Sequence, residues 1–183
     1  MGQGSTPIYV WLALEIAYLC KCRTVEVTFE DRGNDRRRYL TQAQELEEGL
    51  RIVRAKGSRT NIVKWSPRLR RAIDIAKQFR SERYKSLNIP TPIAPEDCPL
   101  IVNDSGRPLT ASALRSAFGR IRKRAVEKGI LSESESFTLH WMKHTGVTNS
   151  PSSRIEKAEE AGHKSVQQNA DYDHAEAIVR AIE

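Results

Sequence analysis

The 183-residue sequence contains few cysteines, no long apolar run, and no nucleotide-binding or metal-binding motif. Its three cysteines, Cys20, Cys22 and Cys98, have neither disulfide nor zinc-site spacing, which predicts reduced thiols that are buried or half-buried. The longest apolar stretch, residues 8–20, is interrupted by Glu15, is too short to cross a bilayer, and lacks the features of a signal peptide. The missing P-loop, carboxylate cluster and Cys/His spacing argue against chemistry that needs a nucleotide or a metal.

Positive charge is present and unevenly distributed. The formal net charge is +7, and residues 51–85 carry twelve Lys or Arg against two acids. Residues 115–128 add six basic residues against Glu127, whereas residues 154–183 hold four basic and seven acidic residues. A solvated surface usually mixes its signs, so this segregation favours a polyanionic partner.

Apolar spacing and capping residues predict one domain over residues 1–183, mainly α with a small antiparallel β-sheet (an α+β fold). Two β-branched runs, 50–54 and 60–65, flank a Gly-containing corner and predict a hairpin. Residues 30–38 are too charged and too broken by Gly and Asn for a core element, and predict an exposed loop. Helices are predicted at residues 7–20, 41–48, 66–83, 110–128, 137–148, 154–161 and 175–182.

Several residues in the chain match the needs of phosphodiester cleavage by a protein nucleophile. Such chemistry requires a nucleophile, cations at the non-bridging oxygens, and an acid for the departing oxygen. The sequence offers Arg23 with Glu26 after an apolar helix, Lys56 at the hairpin corner, and His140-Trp-Met-Lys143. Gly162-His163 follows, and Tyr172 with Asp-His comes nine residues after His163.

This order resembles the catalytic domain of the tyrosine recombinases, the phage integrase family. The resemblance covers residues 7–174 and is most specific over residues 137–174. It implies that Tyr172 attacks the phosphorus to form a 3′-phosphotyrosyl link, while Arg23 and Lys143 hold the phosphate. It further implies that His140 and His163 act as hydrogen-bond donors or base, and that Lys56 protonates the 5′ oxygen.

The sequence departs from the family pattern at three places. Lys143 stands where the second family arginine is expected, and it supplies a point charge instead of a bidentate fork. Trp141 replaces an acidic residue that is often found there, and is predicted to be a packing residue. Residues 30–48 match poorly, because the family pattern runs directly into the hairpin.

The resemblance implies double-stranded DNA as the partner. No metal, small-molecule cofactor or membrane is expected to take part. Four copies are expected in the synaptic complex, in the cytoplasm of a bacterial or phage-infected cell, near the nucleoid. The N-terminal core-binding domain of the family is not found, so we expect a catalytic fragment. The residues expected to contact DNA are Arg54, Arg59, Lys64, Arg115 and Arg122.

Three alternatives remain open at this stage. One is a recombinase-derived DNA-binding protein that has lost catalysis, for which Lys143 is the main argument. Another is an enzyme like the type IB topoisomerases, which share the chemistry but act without a synapse. The third is a basic, non-catalytic structural protein in which the motif arose by chance.

Overall fold

The computed structural model describes residues 6–29, 40–54, 59–135 and 137–163. This part of the chain contains short 3₁₀ turns at Gln42–Gln44, Pro95–Asp97 and Glu133–Glu135. Its α-helices and β-strands, in chain order, are α1 (Ile8–Leu19), α2 (Thr24–Val27), β1 (Gly49–Ile52), β2 (Asn61–Lys64), α3 (Pro67–Ser86), α4 (Ala111–Glu127), α5 (Trp141–Thr148) and α6 (Arg154–Glu160).

Helix α1 lies at the centre of the fold and contacts α2, α3, α4 and α5. Leu12, Ala13, Ile16 and Ala17 have no exposed surface. A helix that is apolar on nearly every side is stable in water only when other elements surround it. Among the described helices, none combines the length and apolarity that spanning a membrane requires.

Strands β1 and β2 form an antiparallel pair, which confirms the predicted hairpin. The register pairs Gly49 with Lys64 and Ile52 with Asn61. Leu50 and Ile52 are fully buried, whereas Ile62 on β2 is 43% exposed. The pair therefore covers the core with one face of β1 and presents β2 towards the surface.

The predicted caps of α3 and α4 are confirmed. Ser66 Oγ accepts a hydrogen bond from Leu69 N at 3.2 Å, with Pro67 in the first turn of α3. Thr110 Oγ1 accepts one from Ala113 N at 3.1 Å at the start of α4. These bonds satisfy amide groups that have no partner within the helix itself.

Two helix predictions were wrong in extent. Residues 41–48 form only a 3₁₀ turn, because Leu46 N donates to Gly49 O at 2.9 Å and the chain turns directly into β1. Helix α5 begins at Trp141 instead of Phe137, whose ring packs edge-on against Phe118 at 5.4 Å between centroids. Trp141 itself, predicted to be a packing residue, is 57% exposed. The loop predicted at residues 30–38 and the helix predicted at residues 175–182 lie outside the described residues.

Candidate functional site

The first element of the site is the short helix α2, which fixes Arg23 through Glu26. Arg23 N donates to Glu26 Oε2 at 2.8 Å, and Arg23 Nη1 lies 3.8 Å from Glu26 Oε1. The Glu26 side chain is 1% exposed, while that of Arg23 is 23% exposed. A buried carboxylate therefore holds both the backbone and the guanidinium of an arginine that still reaches solvent.

Helix α5 is brought to this corner by a close approach to α1. A Cβ atom on Gly146 would collide with the carbonyl oxygen of Tyr18, so only glycine permits the two backbones to come so near. This contact places His140 at the N-terminal end of α5, where it is exposed and stacks edge-on with His144 at 4.8 Å.

Lys143 points from α5 into the protein and is 1% exposed. Its Nζ donates to the carbonyl oxygen of Ala161 at 3.1 Å. Burial, opposed by the Glu26 carboxylate and reinforced by the Arg23 and Arg54 cations, lowers the pKa of Lys143 to about 8. The Lys143 ammonium is thus buried beside one carboxylate and two guanidinium groups.

His140 lies at the surface and is affected by neighbouring cations of the same cluster. Partial burial lowers the pKa of His140, and the Arg23 and Lys143 cations lower it further. A neutral imidazole beside cations is suited to accept a proton or to donate one hydrogen bond to an anion.

A cavity of about 430 Å³ joins predicted catalytic and DNA-contacting residues. Arg23 and His140 line it together with Arg115 and Arg122 of α4. None of the described residues around it is acidic; the others are Thr24, Val25, Phe118, Gly119, Phe137, Thr138 and Leu139. We call this cavity the arginine pocket, and its positive charge suits a phosphate group.

The end of α6 forms a second part of the site and lies against the hairpin. Gly162 has a φ of +70°, and a Cβ there would lie 2.7 Å from Arg59 O. Arg59 N donates to Gly162 O at 2.9 Å, and His163 N donates to Ala158 O at 2.8 Å. His163 is consequently held at 6% exposure beside the hairpin. The Gly-His dipeptide matters here because only glycine readily adopts this turn so close to another backbone.

Lys143 connects the two parts, because its Ala161 partner immediately precedes Gly162. His163 does not line the arginine pocket, and neither does Lys143. Among the described residues, Arg23 and His140 therefore share one cavity, while Lys143 lies beneath them and is bonded to the segment of His163.

Arg54, expected to contact DNA, is placed inside the protein. Its side chain is 0% exposed and Nη1 lies 3.5 Å from Glu26 Oε2. In this position its guanidinium is solvated by protein oxygens and is not presented to a phosphate. The sequence did not predict the burial of Arg54, since a sequence pattern does not distinguish a buried arginine from a surface one.

Other members of the basic run are also engaged by the protein. Arg80 is 7% exposed and donates to Pro99 O at 2.7 Å. Lys77 Nζ forms an ion pair with Glu45 at 3.0 Å. The excess of positive charge at residues 51–85 is thus partly internal structure.

Lys64 and Arg59 are both exposed and lie away from the arginine pocket. Lys64 borders a separate cavity of about 610 Å³, whose lining includes three glutamates. That acidic lining disfavours a nearby phosphate. The lining acids are Glu156, Glu159 and Glu160.

Lys56 and Tyr172 lie outside the described residues. Their assignments as general acid and nucleophile stay predictions. Residue 54 and residue 59 are described on either side of the hairpin corner, and residue 163 is the last one described before Tyr172.

The three cysteines are free and buried, as predicted. Burial raises the pKa of Cys20 to about 12 and the pKa of Cys22 well above its ordinary value. Both groups are therefore neutral thiols beside the charged cluster and act as packing residues.

Asn61 was not identified from the sequence. Its Oδ1 accepts from Arg54 Nη2 at 2.9 Å, and its Nδ2 donates to Glu160 O at 2.8 Å. A lone asparagine at the start of a strand gives no sequence signal for this role, because its partners come from distant parts of the chain.

Comparison with known proteins shows which solved structures this chain resembles. No family model and no curated protein matches the sequence. Among solved structures, a lambda integrase dimer bound to a COC′ core site matches 98% of this chain with a TM-score of 0.68 and 17% identity. The lambda integrase catalytic core matches 86% with a TM-score of 0.63 and 14% identity. The Tn1549 transposon integrase in complex with circular intermediate DNA matches 93% with a TM-score of 0.66 and 17% identity.

These matches cover different fractions of the solved chains. This chain spans 57% of the lambda integrase chain in the dimer, 81% of the catalytic core and 55% of the Tn1549 integrase chain. Agreement in architecture at such low identity is evidence about fold. The chain therefore has the fold seen in the lambda integrase catalytic core, and its described part is mainly helical with a small two-stranded antiparallel sheet.

Proposed function

We propose that this chain is the catalytic domain of a site-specific DNA recombinase, or integrase, that cuts and rejoins DNA through a 3′-phosphotyrosyl intermediate. The observation that carries the proposal is the arginine pocket, where Arg23 and His140 meet Arg115 and Arg122 and none of the described lining residues is acidic. The proposal is supported by the fold, because lambda and Tn1549 integrases were both solved in complex with DNA.

The proposed reaction conserves the number of phosphoester bonds. The Tyr172 oxygen forms a bond to phosphorus as the bond to the 5′ oxygen breaks, and Lys56 gives that oxygen its proton. Arg23 binds the non-bridging oxygens, with His140 as hydrogen-bond partner or base. Lys143 supplies positive charge beneath the arginine pocket. His163 is the second histidine that acts as a hydrogen-bond donor or base. Attack by a second strand's 5′ hydroxyl reverses the link, with four copies joined on two duplexes.

A catalytically silent, recombinase-derived DNA-binding protein is the second candidate, and the environment of Lys143 favours it. The ammonium is buried and bonded to Ala161 O, which is the behaviour of a structural lysine. A binder of this kind would use the arginine pocket for a phosphate without cleaving it. Loss of one transition-state donor commonly costs roughly 10²–10³ in rate.

Covalent trapping separates these two candidates. The protein is incubated with a nicked duplex from the attachment region of its own genetic element, beside Tyr172→Phe, and resolved on a denaturing gel. We expect an adduct with the native protein and none with the variant. Salt-sensitive binding of the same duplex without any adduct would instead support the silent binder. Exchange of strands between two duplexes then distinguishes a recombinase from an enzyme that only relaxes supercoils.

A further inference from the structure

Arg54 has a hydrogen-bond environment that a surface arginine never has. Its guanidinium is wholly buried, and every one of its five N–H groups has an acceptor nearby. Nε donates to Asn61 Oδ1 at 3.1 Å. The acceptors of its two terminal nitrogens are Lys21 O (3.0 Å), Cys20 O (3.0 Å), Glu160 O (2.7 Å), Asn61 Oδ1 (2.9 Å) and Glu26 Oε2 (3.5 Å).

These acceptors belong to three segments that are remote in sequence. Cys20 and Lys21 lie in the corner before Arg23, and Glu26 anchors the same corner. Asn61 begins β2, on the far side of the hairpin corner that contains Lys56. Glu160 ends α6, three residues before His163. One guanidinium thus joins three of the parts of the chain that carry predicted catalytic residues.

The end of α6 is held with particular completeness. The last carbonyl groups of a helix have no partner within it and need donors from elsewhere. Asn61 Nδ2 donates to Glu159 O at 3.1 Å and to Glu160 O at 2.8 Å. Arg54 also donates to Glu160 O, and Lys143 donates to Ala161 O. Donors from the hairpin and α5 therefore bind three successive carbonyls just before Gly162.

Packing around Gly162 reinforces this link. A Cβ on Gly162 would lie 2.9 Å from Arg54 Cγ and 3.0 Å from Arg54 Nε. The Arg54 side chain thus forms part of the wall against which the turn before His163 is set. Any shift of that side chain alters the position of the turn directly.

We propose that Arg54, assisted by Asn61, is a positioning residue: it holds Gly162 and His163 against the hairpin and the Arg23 corner. As a role in catalysis this rests on the proposed function, whereas the structural link itself does not. The consequence is that the placement of His163 depends on the position of the hairpin, so that contact between the hairpin and DNA is transmitted to the catalytic histidine.

The test uses one variant of Arg54, one variant of Asn61 and one matched control. Arg54→Lys keeps the charge that neutralises buried Glu26 but cannot supply five donors. Asn61→Ala removes two bonds to α6 and the Oδ1 acceptor of Arg54, while Arg54 keeps its buried partner Glu26. Arg80→Lys is the control, because Arg80 is a buried arginine that also binds a main-chain carbonyl, Pro99 O, but lies outside the site.

Three quantities are measured for each variant. Hydrogen exchange without DNA reports protection of the Arg59, Gly162 and His163 amides, all hydrogen-bonded in the native protein. Binding to the nicked duplex gives Kd and its salt dependence. The rate of adduct formation at saturating protein gives the catalytic step.

We expect Arg54→Lys and Asn61→Ala to speed exchange at these amides and to slow adduct formation by roughly 10–100-fold, since small misplacements of catalytic groups cost that much. The Kd should change by less than about twofold, because no phosphate contact is lost. Arg80→Lys should change neither the exchange at these amides nor the adduct rate.

Two outcomes would overturn the proposal. Unchanged exchange with weaker, less salt-dependent binding would make Arg54 a DNA contact. Faster hydrogen exchange with an unchanged rate of adduct formation at saturating protein would show that Arg54 and Asn61 have only a structural role. If the native protein forms no adduct, the proposed function fails, and exchange alone then decides whether Arg54 holds the segment of His163.

Discussion

Lys143 Nζ donates to the carbonyl oxygen of Ala161 at 3.1 Å while only 1% of the lysine is exposed. A lysine on α5 thereby caps the end of α6. Burial of its ammonium has a measurable consequence for stability, since it lowers the pKa of Lys143 from 10.5 to about 8.

Replacement of Lys143 by Met should remove a pH dependence of unfolding. Between about pH 8 and 10.5 the folded protein has lost the Lys143 proton while the unfolded chain keeps it, so stability rises with pH. The native protein should gain about 2–3 kcal/mol relative to Lys143→Met over this window. Urea unfolding of both proteins at pH 7 and pH 10 measures this, and an equal difference at the two values would refute it.

Substitution of Gly162 by Ala should displace the segment of His163. Its φ of +70° strains any residue with a Cβ, and that atom would meet Arg59 O at 2.7 Å. We expect a loss of at least about 1–2 kcal/mol in the free energy of unfolding.

Gly119→Ala is the matched control, because nothing lies within 4 Å of a Cβ placed on this glycine within α4. It should leave stability unchanged or raise it by up to about 1 kcal/mol. If both variants proved equally stable by chemical denaturation, the close contact between Gly162 and the hairpin would be wrong.

Arg115 and Arg122 should each contribute a phosphate contact, because both line the arginine pocket. Conversion of either to Gln should weaken DNA binding for all sequences and reduce the slope of log K against log salt by roughly 1. Arg120→Gln, an exposed arginine on the same helix outside that lining, should leave the slope unchanged. Fluorescence anisotropy across a salt series measures all three, and equal slopes would argue against the pocket as the phosphate site.

His140 should couple DNA binding to proton uptake. Burial and the nearby cations lower its pKa, so its contribution to stability is present above about pH 6.5 and is lost as pH falls. A bound phosphate favours the protonated ring, so affinity should rise as pH falls from 7.5 to 5.5. His140→Gln should flatten that dependence, and an identical pH profile in anisotropy titrations would exclude His140 from the interface.

The sequence predicted most of the architecture because the signals were local. Ser66 and Thr110 cap helices through their own neighbouring amides, and the β-branched runs define the hairpin. The helix predicted at residues 41–48 did not form because the segment pairs with residues distant in sequence: Thr41 bridges to Pro99 and Gln42 N donates to Cys98 O. The exposure of Trp141 was not predicted because helical spacing does not reveal which side of α5 faces solvent.

The candidate site was predictable only in part, for a related reason. Motif order identified Arg23, His140 and His163, and the structure gives each a described place near another site residue. The roles of Arg54 and Asn61 depend on contacts with residues roughly a hundred positions away. Such contacts arise from tertiary packing, so a basic run alone suggested a surface role for Arg54.

The most direct test of the account is to identify the residue that becomes linked to DNA. The adduct formed on a nicked attachment-region duplex is digested and its peptides are mapped by mass spectrometry. The account predicts a single modified peptide in which Tyr172 carries a 3′-phosphonucleotide. Linkage to another residue, or no linkage despite saturated binding by the full-length protein, would contradict it.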